Sequence, residues 1–311
     1  MSAHVLAVGE ALVDVVHRPD GTSEEHPGGS LANVALTLGR LGRDVRLATW
    51  LGRDARGDDV RAWLAESRVA LAPGSDGADR TSVAQATLDA TGAATYEFDL
   101  EWQVPAGAGA TDETLAVHTG SIAAMLAPGD AAVRRVLEDA RRVATVSYDP
   151  NARPALMGDA AAVRPRVEEL VALSDVVKVS DEDLAWLAPG SDPLEVARAW
   201  QATGPALVVV TFGGEGATAV TAAGEVAVTA PRVDVVDTVG AGDSFMGALL
   251  DGLWSTDLLG ASRRDALRTI PVADTERLLA RCAAVAAVTV SRAGANPPWA
   301  RELDPTTKEH A

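Results

Sequence analysis

The stretch Asp237-Thr238-Val239-Gly240-Ala241-Gly242-Asp243-Ser244-Phe245-Met246-Gly247-Ala248-Leu249-Leu250 restricts this chain more than any other. The apolar run Val233 to Val236 leads into a Gly-X-Gly turn, and an apolar-periodic run begins at Phe245. That order predicts a strand or extended segment, a tight turn and a buried helix, with Asp243 at the helix start. A helix start exposes unpaired N–H groups and a partial positive charge, and glycines at 240 and 242 let an anion approach that backbone closely. A capping role would explain Asp243 alone, since aspartate is a preferred N-cap, but it leaves both glycines unexplained. Two phosphate motifs fail on spacing. The dinucleotide fingerprint needs glycine where Phe245 stands, and the P-loop needs Gly-Lys-Ser/Thr, whereas the lysines here are Lys178 before Val179 and Lys308 before Glu309. What remains is an anion-binding turn beside a carboxylate. Phosphoryl transfer to an alcohol needs those two parts, donors for the migrating group and a base for the hydroxyl proton.

The rest of the chain alternates strand and helix patterns, as in a doubly wound, mostly parallel α/β sheet flanked by helices. Val5 to Val8, ended by Gly9, reads as a buried first strand, and Val13 to His17 as a second with Asp14 inside it. Pro27-Gly28-Gly29-Ser30-Leu31-Ala32-Asn33 reads as a loop, a Ser30 cap and a helix with Asn33 in its first turn and a buried stripe of Leu31, Val34, Ala35 and Leu38. Strands are predicted at Val45 to Leu51, Ser82 to Leu88, Ala94 to Leu100, Leu115 to Ser121, Ala144 to Tyr148, Asp175 to Val179 and Leu207 to Val210. Helices are predicted at Arg56 to Ser67, Ala131 to Arg142 and Asp274 to Val290. A turn at Asp89-Ala90-Thr91-Gly92 joins two of the strands, and in the second Tyr96, Phe98 and Leu100 face opposite to Glu97, Asp99 and Glu101. His118 reads as a packed strand residue. Neither an internal repeat nor an interdomain linker is visible, so residues 1–311 read as one domain.

The glycine turn with Asp243, together with Pro27 to Ala35, resembles the two signatures of the ribokinase-like (PfkB) carbohydrate kinase family. The segments Gly9 to Asp14, Leu115 to Ser121 and Asp149-Pro150-Asn151-Ala152-Arg153 are similar to its fructokinase-like members. The resemblance runs from Val8 to about Asn296. It implies a ribokinase-like fold with a small β-sheet lid built from segments of about 12–29 and 80–104, closing over a sugar to exclude water. It implies Asp243 as catalytic base and the backbone of Gly240, Ala241 and Gly242 as anion hole. By the same resemblance Asp14, Gly28, Gly29, Asn33, Tyr96, Phe98 and Arg153 serve the sugar, and Ser180, Thr211, Gly213, Gly216 and Gly242 serve ATP. The family often carries Asn-x-x-Glu near Mg²⁺, and this chain departs from it with Ser180 and Asp183, which an acidic helix start would also explain. Asp237, Val239, Ser291 and Gly294 correspond to a site for a monovalent cation, K⁺, in many relatives.

Relatives acting on sugar acids tend to have an arginine in the lid strand, where this chain has Glu97, Asp99 and Glu101, so a neutral sugar is expected and D-fructose first. Ribose, a nucleoside or 2-keto-3-deoxygluconate are the alternative acceptors, and a non-catalytic sugar sensor is the alternative class. With 44 acidic against 27 basic residues and a formal charge of -17, a nucleic-acid surface is disfavoured. Bound ATP would then be neutralised by a divalent metal and backbone dipoles. The single Cys282 precludes an intrachain disulfide. The N-terminal residues lack a basic leader and no apolar run reaches spanning length, so the expected location is the cytoplasm, without membrane contact. Exposed lid strands are candidates for pairing two subunits as a homodimer.

Overall fold

Short runs rich in valine and leucine become strands buried on both faces, the pattern that parallel sheets require. The computed structural model describes residues 2–89 and 94–303. Its strands are β1 (His4–Val8), β2 (Leu12–His17), β3 (Ser23–Gly28), β4 (Val45–Ala48), β5 (Val69–Leu71), β6 (Val83–Leu88), β7 (Ala94–Asp99), β8 (Thr114–Gly120), β9 (Thr145–Asp149), β10 (Val176–Ser180), β11 (Leu207–Thr211), β12 (Ala217–Thr221) and β13 (Gly224–Val228). Nine of them form one sheet in the order β13-β12-β11-β10-β9-β8-β1-β4-β5. From β5 to β11 neighbours run parallel, and β12 and β13 add an antiparallel edge.

Period-two alternation sends Val5, Ala116, Val176, Leu207 and Val209 to one core and Leu6, Val117, Val146, Val177 and Val208 to the other. The first core is covered by the helices Ser30–Arg40, Ala241–Ser255 and Val272–Val290, and the second by Gly129–Ala140, Ala160–Leu173 and Pro193–Thr203. The fold is thus α/β and doubly wound, a mostly parallel sheet between two helix layers, as expected. After β1 the chain winds outward to β4 and β5, then returns to the far side of β1 with β8. The boundary between β1 and β8 is a topological switch point, where the carboxyl ends of the strands leave a crevice.

The other four strands form a separate sheet, β3-β2-β6-β7, in which β2 and β6 are parallel and the outer pairs antiparallel. Leu12 of β2 lies just beyond the carboxyl end of β1, so this small sheet stands beside the crevice.

Some expectations change. Ser30 is the first helical residue rather than the cap, which is Gly29. Val233 to Val236 joins no strand, and Val235 and Val236 are exposed. The predicted strand to Leu51 stops at Ala48, because Leu51 N–H turns to the Ser75 carbonyl at 2.8 Å. β3, β5, β13 and the helices Ala160–Leu173 and Pro193–Thr203 have no counterpart among the expected elements, β5 for its brevity and Ala160–Leu173 because Pro165 lies inside it. Ala90 to Gly92 of the predicted turn lie outside the described residues. Among the described residues, no helix is long and apolar enough to cross a membrane.

The Ala241–Ser255 helix is anchored at its far end by Asp251, a buried carboxylate that accepts from Arg43 Nε at 2.6 Å and Arg281 Nη2 at 2.8 Å. Asp251→Ala leaves the half-buried Arg43 and the exposed Arg281 without their shared carboxylate, and is expected to cost about 1 to 3 kcal/mol, because both guanidinium groups can turn to water. The urea-unfolding midpoint measures it.

Candidate active site

Residues at or just beyond the carboxyl ends of the strands line the crevice: Glu10 after β1, Ser121 after β8, Asn151 after β9 and Ser180 at the end of β10. Two helix starts point into it. Gly240, at φ +75°, begins the Ala241–Ser255 helix, and Gly29, at φ +105°, begins the Ser30–Arg40 helix. Neither conformation suits a residue with a Cβ, and a Cβ at Gly29 would lie 2.6 Å from the Glu10 carbonyl oxygen.

Asp243 stands in the first turn of its helix and does not cap it; its carboxylate is 7% exposed and turned across the gap to the other helix. Ser30 Oγ donates to Asp243 Oδ1 at 2.7 Å, and Asn33 Nδ2 donates to Oδ2 at 2.8 Å. Asn151, held at φ +37°, donates from Nδ2 to Ser30 Oγ at 2.8 Å. Arg153 folds back onto the Asn151 side chain at 2.8 Å and the Ala152 carbonyl at 2.9 Å. The structure therefore joins Asp243, Asn33 and the Gly240 turn with Gly28 and Gly29, which flank the start of the Ser30–Arg40 helix. Asp14, on β2, is exposed, and a Cβ at Gly28 would meet its carboxylate at 2.2 Å. Tyr96 and Phe98 stack on the small sheet with ring centres 6.1 Å apart, and Tyr96 is 60% exposed.

The acidic face of β7 is not as bare as its letters suggest. Arg80 reaches Asp99 with Nε at 2.7 Å and a second contact through Nη2, and Trp50 Nε1 donates to Glu101 at 3.0 Å. An arginine does therefore sit beside this strand, supplied by a neighbouring loop, and the charge argument against a carboxylate substrate loses much of its force.

Ser180 and Asp183 form a reciprocal capping box on the helix Asp181–Leu187, and Asp183 Oδ1 also accepts from Ala152 N–H at 2.8 Å. Both Asp183 oxygens are thus engaged by backbone. Among the described residues no group of three or more His, Cys, Asp or Glu could hold a metal, so a divalent ion here would depend on oxygens from a ligand and water. Thr211, Gly213 and Gly216 make the hairpin turn from β11 to β12, closed by Phe212 N–H on the Gly216 carbonyl at 2.9 Å. Asp237 ties its own loop to the closing loop, accepting from Val239 N–H at 3.0 Å and Gly294 N–H at 2.9 Å. Ser291 donates instead to the Val288 carbonyl at 2.7 Å.

Two buried charges escape the sequence reading. Lys178 Nζ donates to Asp149 Oδ2 at 2.9 Å, and a Cβ on Gly242 would lie 2.8 Å from that nitrogen, so the ammonium sits directly behind the glycine turn. Burial pulls its pKa down, but Asp149, Asp183 and Asp243 together outweigh burial and leave it above the ordinary lysine value. Burial pushes the Asp149 carboxyl up to about 6 in spite of Lys178. The available signal was a lone lysine inside the β-branched run Val176 to Val179. Glu10 is the second: Ser30 N–H donates to its Oε1 at 3.2 Å, while Oε2 is buried without a hydrogen-bond partner among the described residues. Burial pushes its carboxyl up to about 7, with Ser121 and Arg153 favouring the ionised form. His118 is packed as expected, against Ser147 at 3.1 Å, and burial lowers it to about 3.

The same overall fold recurs in known proteins. A family model described as pfkB family carbohydrate kinase matches residues 2–301. A fructokinase of Rhizobium leguminosarum bv. trifolii is 34% identical over 267 residues, covering 82% of this chain and 81% of that protein. A fructokinase of Klebsiella pneumoniae is 34% identical over 266 residues, covering 81% and 85%. Among solved structures, the fructokinase with bound ATP from Xylella fastidiosa superposes with a TM-score of 0.81 at 26% identity, covering 99% of this chain and 100% of that one. The aminoimidazole riboside kinase from Salmonella enterica superposes with a TM-score of 0.70 at 25% identity, covering 94% of each.

Glu10 titrates higher in the folded than in the unfolded chain, so the folded state holds the extra proton and stability falls as pH rises from about 4.5 to about 7. Glu10→Gln removes that loss. It is expected to match the parent near pH 4.5 and to exceed it above pH 7 by up to about 3 kcal/mol, at 1.36 kcal/mol per pKa unit. Urea titrations at both pH values measure the difference.

Proposed function

This chain belongs to the pfkB family of carbohydrate kinases, and from that footing we propose that it transfers the γ-phosphoryl group of ATP to a primary hydroxyl of a neutral sugar, D-fructose first. That it is a sugar-phosphorylating transferase follows from the family and its fructokinase relatives. The observation that carries the finer proposal is the position of Asp243, oriented by Ser30 and Asn33 beside the Gly240-Ala241-Gly242 turn. A carboxylate so placed takes the proton of the attacking hydroxyl, while the turn, which spends its Ala241 N–H on the Thr238 carbonyl at 3.2 Å, offers its other N–H groups to the transferring oxygens. Lys178, ion-paired with Asp149, holds its ammonium behind that turn, where it offsets part of the negative charge of the neighbouring carboxylates. Mg²⁺, brought with ATP, would neutralise phosphate charge. Asp14, Gly28, Gly29, Asn33, Tyr96, Phe98 and Arg153 are assigned to the sugar, and Ser180, Thr211, Gly213 and Gly216 to the nucleotide.

D-fructose rests on the two fructokinase relatives at 34% identity. The riboside kinase among the structural relatives keeps a nucleoside acceptor as the second reading, and the Arg80–Asp99 pair keeps 2-keto-3-deoxygluconate on the test panel. Asp237, Val239, Ser291 and Gly294 meet around one loop junction, the place assigned to K⁺. The small sheet is assigned as a lid, and its edge strands β3 and β7 as the surface through which a homodimer would form. We place the protein in the cytoplasm.

Asp243→Asn is expected to lower kcat by about 10² to 10⁴, the usual worth of a general base, with ATP binding retained. ADP release with fructose, ribose, adenosine and 2-keto-3-deoxygluconate, with and without K⁺, measures both the acceptor and the cation. Fructose turnover unchanged in Asp243→Asn would overturn the assignment of the base. Lys178→Met is expected to lower kcat by about 10² to 10³, as for the loss of one preorganised donor. Combining it with Asp149→Asn, so that no buried charge is left unpaired, separates this effect from instability, which thermal melting reports.

A further inference from the structure

The Ser30–Arg40 helix begins with a glycine that has no side chain to cap it and has no acidic residue in its first turn. Unpaired N–H groups at a buried helix start need an acceptor, and serine in the first turn would ordinarily be drawn toward them. Here the Ser30 hydroxyl is spent on Asp243 instead. The acceptor comes from elsewhere in the chain: Glu10, at the carboxyl end of β1, takes the Ser30 N–H on Oε1 at 3.2 Å. Close approach is possible because position 29 has no Cβ to meet the Glu10 carbonyl. Glu10 is only 7% exposed; its Oε1 lies on the helix start, and its Oε2 has no hydrogen-bond partner among the described residues.

We infer that Glu10 is a positioning residue for Asp243: by accepting the Ser30 N–H it replaces the missing helix cap and leaves the Ser30 hydroxyl free to orient the carboxylate. The chain of contacts runs from Glu10 Oε1 through Ser30 to Asp243 Oδ1, with Asn151 steadying Ser30 Oγ from the other side at 2.8 Å. Glu10 touches neither the turn nor the proton being moved. It acts through one side chain, and removing it tilts the base rather than deleting it. The carboxyl, raised to about 7 by burial, is partly protonated near neutrality and needs only one oxygen free to accept. A glutamine should therefore serve in its place.

The test, which rests on the kinase assignment above for its kinetic arm, compares Glu10→Ala, Glu10→Gln, Ser30→Ala and the Glu10→Ala/Ser30→Ala double variant. Glu10→Ala is expected to lose about 10- to 100-fold in kcat, the scale of a misplaced catalytic group, with KM for ATP little changed. Glu10→Gln should recover most of that loss. Because the effect passes through Ser30, the double variant should be no slower than Ser30→Ala, whereas a general loss of structure would multiply the two effects. Multiplicative losses, or a Glu10→Gln variant as slow as Glu10→Ala, would overturn the inference. A crystal structure of Glu10→Ala gives a readout free of activity. Ser30 Oγ turned away from Asp243 supports the role, and an unmoved Ser30–Asp243 bond refutes it. If the parent protein phosphorylates none of the acceptors, the kinase proposal fails, and the crystallographic arm alone decides the role of Glu10. Should Glu10→Ala not fold, Glu10→Met, which keeps the volume and lacks the acceptor oxygen, takes its place in the same cycle and in the crystal structure.

Discussion

Two helix starts converge on one point, and a single carboxylate bridges them. Helix N-termini carry partial positive charge, so burying two of them face to face is unfavourable unless an anion lies between. Asp243 supplies part of that anion, held by Ser30 and Asn33 of the opposing helix. The helices can approach this closely because Gly247 packs on Thr37, where a Cβ would come within 2.7 Å of the Thr37 Cβ. Asp251 with its two arginines fixes the far end of the same helix. What suits such a crevice to a phosphorylated ligand is local, the backbone N–H groups of a glycine-containing helix start.

The protein manages charge differently inside and out. Its formal charge of -17 makes the exterior repulsive to phosphate, yet the Lys178 side chain behind the glycine turn is buried. Lys178 shares its surroundings with Asp149, Asp183 and Asp243, so the crevice wall keeps a surplus of carboxylates over ammonium. Such an arrangement holds the lysine protonated, so that its ammonium partly offsets the carboxylates behind the turn. On the small sheet, by contrast, Arg80 and Asp99 cancel each other in solvent, where the pair adds little.

The departures from sequence expectation have a common cause. Ser30 has the letter of a cap and the place of one, but a glutamate 20 residues earlier takes the backbone amide and releases the hydroxyl for Asp243. Asp183 has the letter of a metal-proximal acid, but backbone amides of Ser180 and Ala152 occupy its oxygens. Glu97, Asp99 and Glu101 read as an acidic strand until Arg80 arrives from a loop. In each case local pattern assigned a residue type correctly and its partner lay in another part of the chain.

Legible along the linear chain are the buried alternation of the strands, the glycine turn before Asp243 and two family signatures some 200 residues apart. These are local properties: hydrophobic period, conformational freedom of glycine and short spacings survive in one dimension. Tertiary structure alone decided which carboxylates face which donors. Winding outward from β1 and back to β8 gathers Glu10, Ser30, Asn151, Lys178 and Asp243 at the carboxyl edge of one sheet. Partner identity in a buried polar network depends on distances of about 3 Å between segments far apart in the chain, and periodicity carries no record of such distances.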